Sequence, residues 1–210
     1  MMLSGDEIRE RLGTDIQITP FEDACVNPNS YSLSLHDELL VYEEVVLDTR
    51  SSNRFRTLQI PEEGLILSPG QIYLGRTAEY TETHNLVPMI TGKSSFAQLG
   101  LFVHCSAAVG DVGFCGQWML EIFAAQPIRI YAGLKICQIF FQEVSGRVPT
   151  SHAPKFPCYG AAPQNFNYPE NGHAIPGRMH EYNAGLPIAD CGCQPLSLLD
   201  LIVKVDEVRT

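Results

Sequence analysis

The sequence predicts a mainly β fold, a sandwich or barrel carrying a few short helices. Apolar runs are short, three to six residues each. Pro and Gly separate many of them. Helical stretches are read at the N terminus and in one brief segment near residue 96, and Leu196 to Val205 could be a helix or a strand. Many short strands punctuated by turns suit a sandwich or barrel and not a series of βαβ units.

Leu3 to Leu12 reads as the first helix, with Ser4 and Glu7 spaced as a capping box and Leu3 and Ile8 as a hydrophobic staple. Gly13 stops it. Ile16-Gln17-Ile18 alternates up to Pro20, a short strand. Asn27-Pro28-Asn29-Ser30 is a turn, and Tyr31 to Leu35 alternates again. Leu39 to Tyr42 is another apolar segment. Arg50 to Arg56 is polar and expected to be a loop. Leu65 to Leu67, Ile72 to Gly75, Val87 to Ile90, Phe102-Val103, Trp118 to Phe123, Ile128 to Ile130 and Ile136 to Phe141 follow as short strands. One domain is expected over 1–210: a core to Gly146, then an irregular segment rich in Pro, Gly, Asn and His over Pro149 to Gly177. Leu196 to Val205 is apolar with no decided period.

The net charge is −10, which argues against a basic nucleic-acid groove. No apolar run approaches the about 18 residues of a membrane span. Met1 to Glu7 lacks the basic and apolar regions of a secretory signal. The seven cysteines are odd in number and scattered, which fits reduced thiols in the cytoplasm. Cys191-Gly-Cys193 lacks a second pair and makes a poor metal site.

The chemistry concentrates between Gly92 and Glu121. Strand alternation places Met119, Glu121 and Phe123 on one face and Trp118, Leu120 and Ile122 on the other. Both faces look buried, which would raise the Glu121 pKa at about 1.4 kcal/mol per unit. A carboxyl so poised suits general acid/base work, although an edge Glu in solvent, or one paired with a buried Arg, fits the same pattern. Lys93-Ser94-Ser95 opens a helical turn, with Ser94 and Gln98 on one face. Its hydroxyls suit phosphate or a polarised water, or equally an ordinary N-cap. Asp111 lies on a Gly-flanked turn, where it can bind a sugar hydroxyl, a water or a metal-bound phosphate, or equally serve as an Asx-turn residue. His104 and Cys105 are adjacent, so strand geometry would point them apart and a thiol-protease pair is not expected. His36-Asp37-Glu38 matches half of a zinc deaminase signature, but Pro157-Cys158-Tyr159-Gly160-Ala161 lacks the second Cys, so zinc is rejected.

Taken together, the residues resemble the dCTP deaminases of the dUTPase-like superfamily over about Leu3 to Gly146. The resemblance is carried by Leu3-Ser4-Gly5, Pro20-Phe21, Asn27 to Tyr31, Leu74-Gly75-Arg76-Thr77 and Gly92 to Ser95. It continues through Leu99 to His104, Gly110 to Gly116 and Leu120-Glu121. It implies a distorted β-barrel, jelly-roll-like subunit and a homotrimer with active sites between subunits. It implies metal-free deamination of dCTP to dUTP and ammonia, with Mg²⁺ at most carried on the substrate triphosphate. Glu121 would move the proton and Ser94 would hold the water. Lys93, Ser95 and Gln98 would accompany Ser94. Backbone near Cys105, Ala107, Met119 and Leu120 would read the pyrimidine. Asp111 would lie beside the sugar, where in dUTPase relatives it activates water for pyrophosphate release. Gln138, Tyr159 and Gln164 would line the nucleotide.

The chain departs from that pattern at several cations. Lys93 replaces an Arg, Gln98 and Val109 stand where Arg is usual, and no Lys lies between Tyr159 and Gln164. Each lost charged hydrogen bond removes roughly 1.5–3 kcal/mol. Lys93, Arg76, Arg129, Lys155 and Arg178 are the candidates to compensate. Three alternatives stay open: pyrophosphate hydrolysis of dUTP or dCTP, alone or after deamination; deamination of a substrate with fewer phosphates; and non-catalytic nucleotide binding.

Overall fold

The structure, a computed structural model, describes residues 1–50, 53–103 and 107–148. The expected segments Pro149 to Gly177 and Leu196 to Val205 lie outside the described residues.

The chain opens with α1 (Gly5–Glu10). The Ser4 hydroxyl accepts the Glu7 N–H at 3.2 Å, and Leu3 and Ile8 are fully buried, as the capping pattern requires. The reciprocal arm of the capping box is not made. Glu7 instead takes Arg11 at 2.6 Å, and Arg11 also reaches Glu143 near the end of the domain at 2.8 Å. The helix is therefore shorter than Leu3 to Leu12 and is tied to a distant strand.

That tie makes a pH prediction. Arg11 holds the Glu143 carboxyl below the usual carboxylate range. A depressed folded pKa contributes stability above the unfolded value, about 4.3, and loses it as pH falls through the folded one. The melting-temperature gap between wild type and Arg11→Ala should therefore shrink on acidification from pH 6. A gap that stays constant would show that the ion pair contributes nothing.

The strands follow in order: β1 (Ile16–Thr19), β2 (Val26–Asn27), β3 (Ser30–Leu33), β4 (Glu38–Tyr42), β5 (Phe55–Gln59), β6 (Leu65–Leu67) and β7 (Ile72–Arg76). Then come β8 (Tyr80–Thr83), β9 (Leu86–Gly92), the short α2 (Ser94–Ala97), β10 (Leu101–Val103), β11 (Cys115–Gly116), β12 (Met119–Ala124), β13 (Ile128–Ile130) and β14 (Cys137–Glu143). They form four ladders: β1-β8-β11, β10-β12-β7-β4-β5, β13-β6 and β2-β3-β14-β9. Among the described residues every pairing between these strands is antiparallel. The mainly β fold with short helices is thus the observed one, built from separate ladders around one core.

The two larger ladders pack their inner faces on the same apolar cluster. Tyr31, Leu33, Ile90, Cys137 and Ile139 come from one side, and Leu39, Val41, Tyr73, Leu120 and Ile122 from the other. Their outer faces therefore point away from each other. This opposition organises the site.

Four strands were not expected from the sequence: β2, β5, β8 and β11. In β8 the inward residues are Thr81 and Thr83, both fully buried, so no apolar alternation marks the strand. β5 lies at a ladder edge with Arg56 and Gln59 exposed, which gives Arg50 to Arg56 its loop-like composition. No helix among the described residues is long and apolar enough to cross a membrane.

Candidate active site

β12 alternates as the sequence requires, but only one face is buried. Leu120, Ile122 and Ala124 point into the core, whereas Met119 and Glu121 are half-buried and Phe123 is exposed. The expectation that both faces are buried is corrected: Met119, Glu121 and Phe123 keep partial exposure on the outer face of the five-stranded ladder, although Leu74 and Arg76 on the same face are buried. Cross-strand pairing fixes the surroundings of Glu121. It lies opposite Leu74, which lies opposite Leu40, and both leucines are buried in a second apolar cluster with Tyr42, Phe55 and Met119 at its margin. Burial first, and then the Glu121 charge, push the Tyr42 phenol above its ordinary pKa. The Glu121 carboxylate therefore lies within electrostatic reach of Tyr42.

The same face ends in a polar wall. Arg76, opposite Met119, is buried and donates to Gln117 Oε1 at 2.8 Å. It also meets His36 Nε2 at 2.9 Å and stands 3.8 Å from Glu38 Oε2. A guanidinium can only donate, so His36 Nε2 is the acceptor and the ring is neutral, with its proton on Nδ1 beside Asp37. Burial, followed by the Arg76 charge, lowers the His36 pKa and favours this form. Arg76 is thus engaged in a buried cluster, and Arg129 donates to the Glu63 carbonyl at 2.8 Å. Lys155 and Arg178 lie outside the described residues.

Lys93 to Gln98 lie at the far side of β10. Lys93, not a serine, takes the N-cap position of α2, and its side chain caps nothing. Ser94 and Ser95 are exposed in the first turn, so the capping alternative is not realised. Gln98 is exposed one turn on, with its N–H on the Ser94 carbonyl at 3.0 Å. Lys93 Nζ turns instead to Ser32 Oγ at 2.8 Å. Asn27 Nδ2 donates to Ser30 Oγ (3.0 Å) and Ser32 Oγ (3.1 Å), and Ser30 donates to Gln138 Oε1 at 3.2 Å. Lys93 and Gln138, far apart in sequence, are joined by this track on the outer face of the four-stranded ladder.

Glu121 and Ser94 are not brought together within one chain. Gly92, which leads into α2, lies against Val103, and a Cβ there would be 3.4 Å from the Val103 Cβ. Val103 pairs with Ile122, and both are buried on the inner side. Glu121 is the next residue along β12 and points outward.

Asp111 begins a turn closed by the Phe114 N–H on its carbonyl at 3.1 Å. Its carboxylate is exposed and makes no hydrogen bond among the described residues, so it is not an Asx-turn residue. The turn is held by Trp118, which stacks on Phe114 with centroids 4.0 Å apart and donates Nε1–H to Thr81 Oγ1 at 2.9 Å. Gly110 lets the indole approach: a Cβ there would lie 2.6 Å from the Trp118 ring and 3.0 Å from Pro88. Gly110→Ala should therefore destabilise the fold by about 1–3 kcal/mol through overpacking, read as a lower denaturation midpoint. An unchanged midpoint would show that the Asp111 turn is not held by this contact.

Ala107 is exposed just before this segment, and the Ala108 carbonyl accepts the Ile90 N–H. The backbones of Met119 and Leu120 pair with Arg76 and Gly75 of β7. The ladder between β10 and β12 runs from Leu101 opposite Ala124 to Val103 opposite Ile122. Cys105, Tyr159 and Gln164 lie outside the described residues. The sequence reading assigns no site role to Ser32, Ser30 or Asn27, although Asn27 and Ser30 belong to the stretch that carries the resemblance. The signal was present in the two-residue spacing of Ser30 and Ser32, which puts both hydroxyls on one strand face.

The family model for dCTP deaminase-like proteins matches residues 2–144. A relative from Leptospira biflexa, named "dCTP deaminase, dUMP-forming", is 55% identical over 156 residues, covering 74% of this chain and 90% of the relative. One of the same name from Clostridium acetobutylicum is 56% identical, covering 70% and 84%. A Rhodopirellula baltica relative named "dCTP deaminase" is 56% identical, covering 74% and 79%. Among solved structures, the 2'-deoxycytidine 5'-triphosphate deaminase of Agrobacterium tumefaciens superposes with a TM-score of 0.54 at 20% identity, which shows the shared fold. That match covers 67% of this chain and 47% of that one, so the chain spans about half the length of that solved relative. The relatives named dUMP-forming overturn the expected conversion of dCTP to dUTP: the product in their names has lost two phosphates as well as the amino group. The chain belongs to the dCTP deaminase-like family.

Proposed function

We propose that the chain converts dCTP to dUMP, releasing ammonia and pyrophosphate and consuming two waters. As a member of its family it is an enzyme, a hydrolytic deaminase. The observation that carries the reading is Glu121, a half-buried carboxylate beside Leu74, Leu40 and Met119 on an outer sheet face, at the position that matches the family's catalytic Glu. Glu121 takes a proton from water, and the hydroxide attacks cytosine C4. The proton passes to the amino group, the C4–N bond breaks and ammonia leaves. Ser94 holds the attacking water. Met119, Leu120 and Ala107, with Cys105, offer backbone groups to the pyrimidine edge. Lys93, Ser95, Gln98 and Gln138, with Tyr159 and Gln164, line the rest of the nucleotide.

In the second half-reaction Asp111 takes the proton of another water, which attacks the α-phosphorus, and the bond to the bridging oxygen breaks to free pyrophosphate. The names of the Leptospira and Clostridium relatives favour this sequence over deamination alone. The protein needs no resident metal in this reading. Mg²⁺ arrives on the triphosphate, where it would neutralise phosphate charge. The exposed Asp111 carboxylate is a hard oxygen ligand suited to it.

The site is completed by two chains. Glu121 points out from one side of the sandwich, while Lys93 and Gln138 belong to the other. A closed homotrimer brings one chain's first face against its neighbour's second. The Glu121 face has the apolar character an interface needs: Ile72, Phe102 and Phe123 are 49%, 39% and 38% exposed around it. The free thiols of Cys25 and Cys137, both buried, support a cytoplasmic location. Incubating the protein with dCTP and measuring ammonia, pyrophosphate and product tests the reaction. Equal amounts of ammonia, pyrophosphate and dUMP are expected, and ammonia accompanied only by dUTP would contradict it.

A further inference from the structure

The hydroxyl track beneath Lys93 has a donor balance that a purely structural network would not need. Ser32 is 4% exposed. Its oxygen accepts from Lys93 Nζ and from Asn27 Nδ2, which uses both lone pairs and leaves its own proton to be given away. Gln138 has spent its Oε1 on Ser30, so its amide Nε2 remains as a donor. Lys93 keeps two further N–H donors. None of these groups has an acceptor among the described residues. Thr91, exposed, stands on the same face, since both it and Ser32 pair with Gln138. The edge of this cluster therefore offers several donors without acceptors, around a hydroxyl too buried to be satisfied cheaply by bulk water.

We propose that Ser32 is a positioning residue for the substrate's phosphate chain. It fixes the Lys93 ammonium, and with Asn27 and Ser30 it aligns Lys93 and Gln138 into one anion subsite. The inference rests on the triphosphate reading above and adds the residues that make a single Lys effective where cations are otherwise few. A flexible ammonium loses rotamer entropy when it binds, and one already held by Ser32 loses less. The subsite recognises phosphate charge, so its effect grows with the number of phosphates and is blind to the base.

The test is calorimetric binding of dCTP, deoxycytidine and inorganic tripolyphosphate to wild type, Ser32→Ala, Ser32→Thr, Lys93→Met and the Ser32→Ala/Lys93→Met double variant, with each melting temperature recorded. Ser32→Ala should weaken dCTP and tripolyphosphate alike, by about tenfold, equivalent to about 1.4 kcal/mol, and leave deoxycytidine unchanged. Ser32→Thr, which keeps the hydroxyl, should restore binding. In the Lys93→Met background the Ser32 change should add little, because the two act as one unit. Equal weakening of deoxycytidine and dCTP, or additive losses in the double variant, would overturn the proposal even if Ser32→Thr does not fold. Wild-type turnover of dCTP with unaltered tripolyphosphate binding by Ser32→Ala defeats the Ser32 inference alone. Failure of wild type to bind dCTP or tripolyphosphate defeats it together with the proposed function.

Discussion

Glu121→Gln should leave a folded protein that releases ammonia from dCTP about a thousandfold more slowly. A positioned acid/base group contributes about 10²–10⁴-fold, and this one serves twice, taking the proton from water and returning it to the amine. Gln keeps the shape and hydrogen-bonding reach of Glu but cannot carry the proton. The site is a half-buried outer position, so core packing around Leu120 and Ile122 is untouched. A second readout shows that the change acts where intended. The Glu121 charge helps to raise the Tyr42 phenol, so its removal should lower that pKa, measurable by ultraviolet titration of the variant against wild type. Near-normal ammonia release from a variant with the expected Tyr42 shift would remove Glu121 from the chemistry.

Asp111→Asn should separate the two halves of the reaction. Ammonia should continue at close to its wild-type rate, pyrophosphate should fall by about a hundredfold or more, and dUTP should accumulate. The carboxylate is exposed and makes no hydrogen bond among the described residues, so its loss should leave stability within about 0.5 kcal/mol. Pyrophosphate release that survives the change would place the second half-reaction elsewhere. Loss of both products would mean that Asp111 serves nucleotide binding as a whole.

Much of the fold was legible because most strands bury aliphatic residues on one face. β12, β14 and β9 announce themselves by alternation, and α1 by Ser4 and Leu3. Two of the strands that escaped lack apolar alternation, with Thr81 and Thr83 inward in β8 and the polar Arg56 and Gln59 exposed in β5, and the other two, β2 and β11, are only two residues long. The pattern also placed Glu121 on the right face of its strand, but it could not show that this face opens outward, because Met119 and Phe123 look like core residues in the sequence. The proposed trimer gives that misreading a physical source: a surface that meets a partner chain can share the composition of an interior. Lys93 was legible as a candidate anion ligand. Its partner Ser32, sixty-one positions away in sequence, was not, since only the pairing of β3 with β14 and of β14 with β9 brings the two together.

The central claim is that one chain presents its carboxylate and its seryl hydroxyl on different faces, so that each reaction centre takes Glu121 from one subunit and Ser94 from another. Mixing Glu121→Gln with Ser94→Ala chains, after subunit exchange by mild denaturation and refolding, tests it directly. Each variant alone should be nearly inactive. In a randomly mixed closed ring about a quarter of the sites should draw an intact Glu121 and an intact Ser94 from two chains, restoring about a quarter of wild-type ammonia release. A mixture that has exchanged subunits yet stays as inactive as its parents would contradict the account.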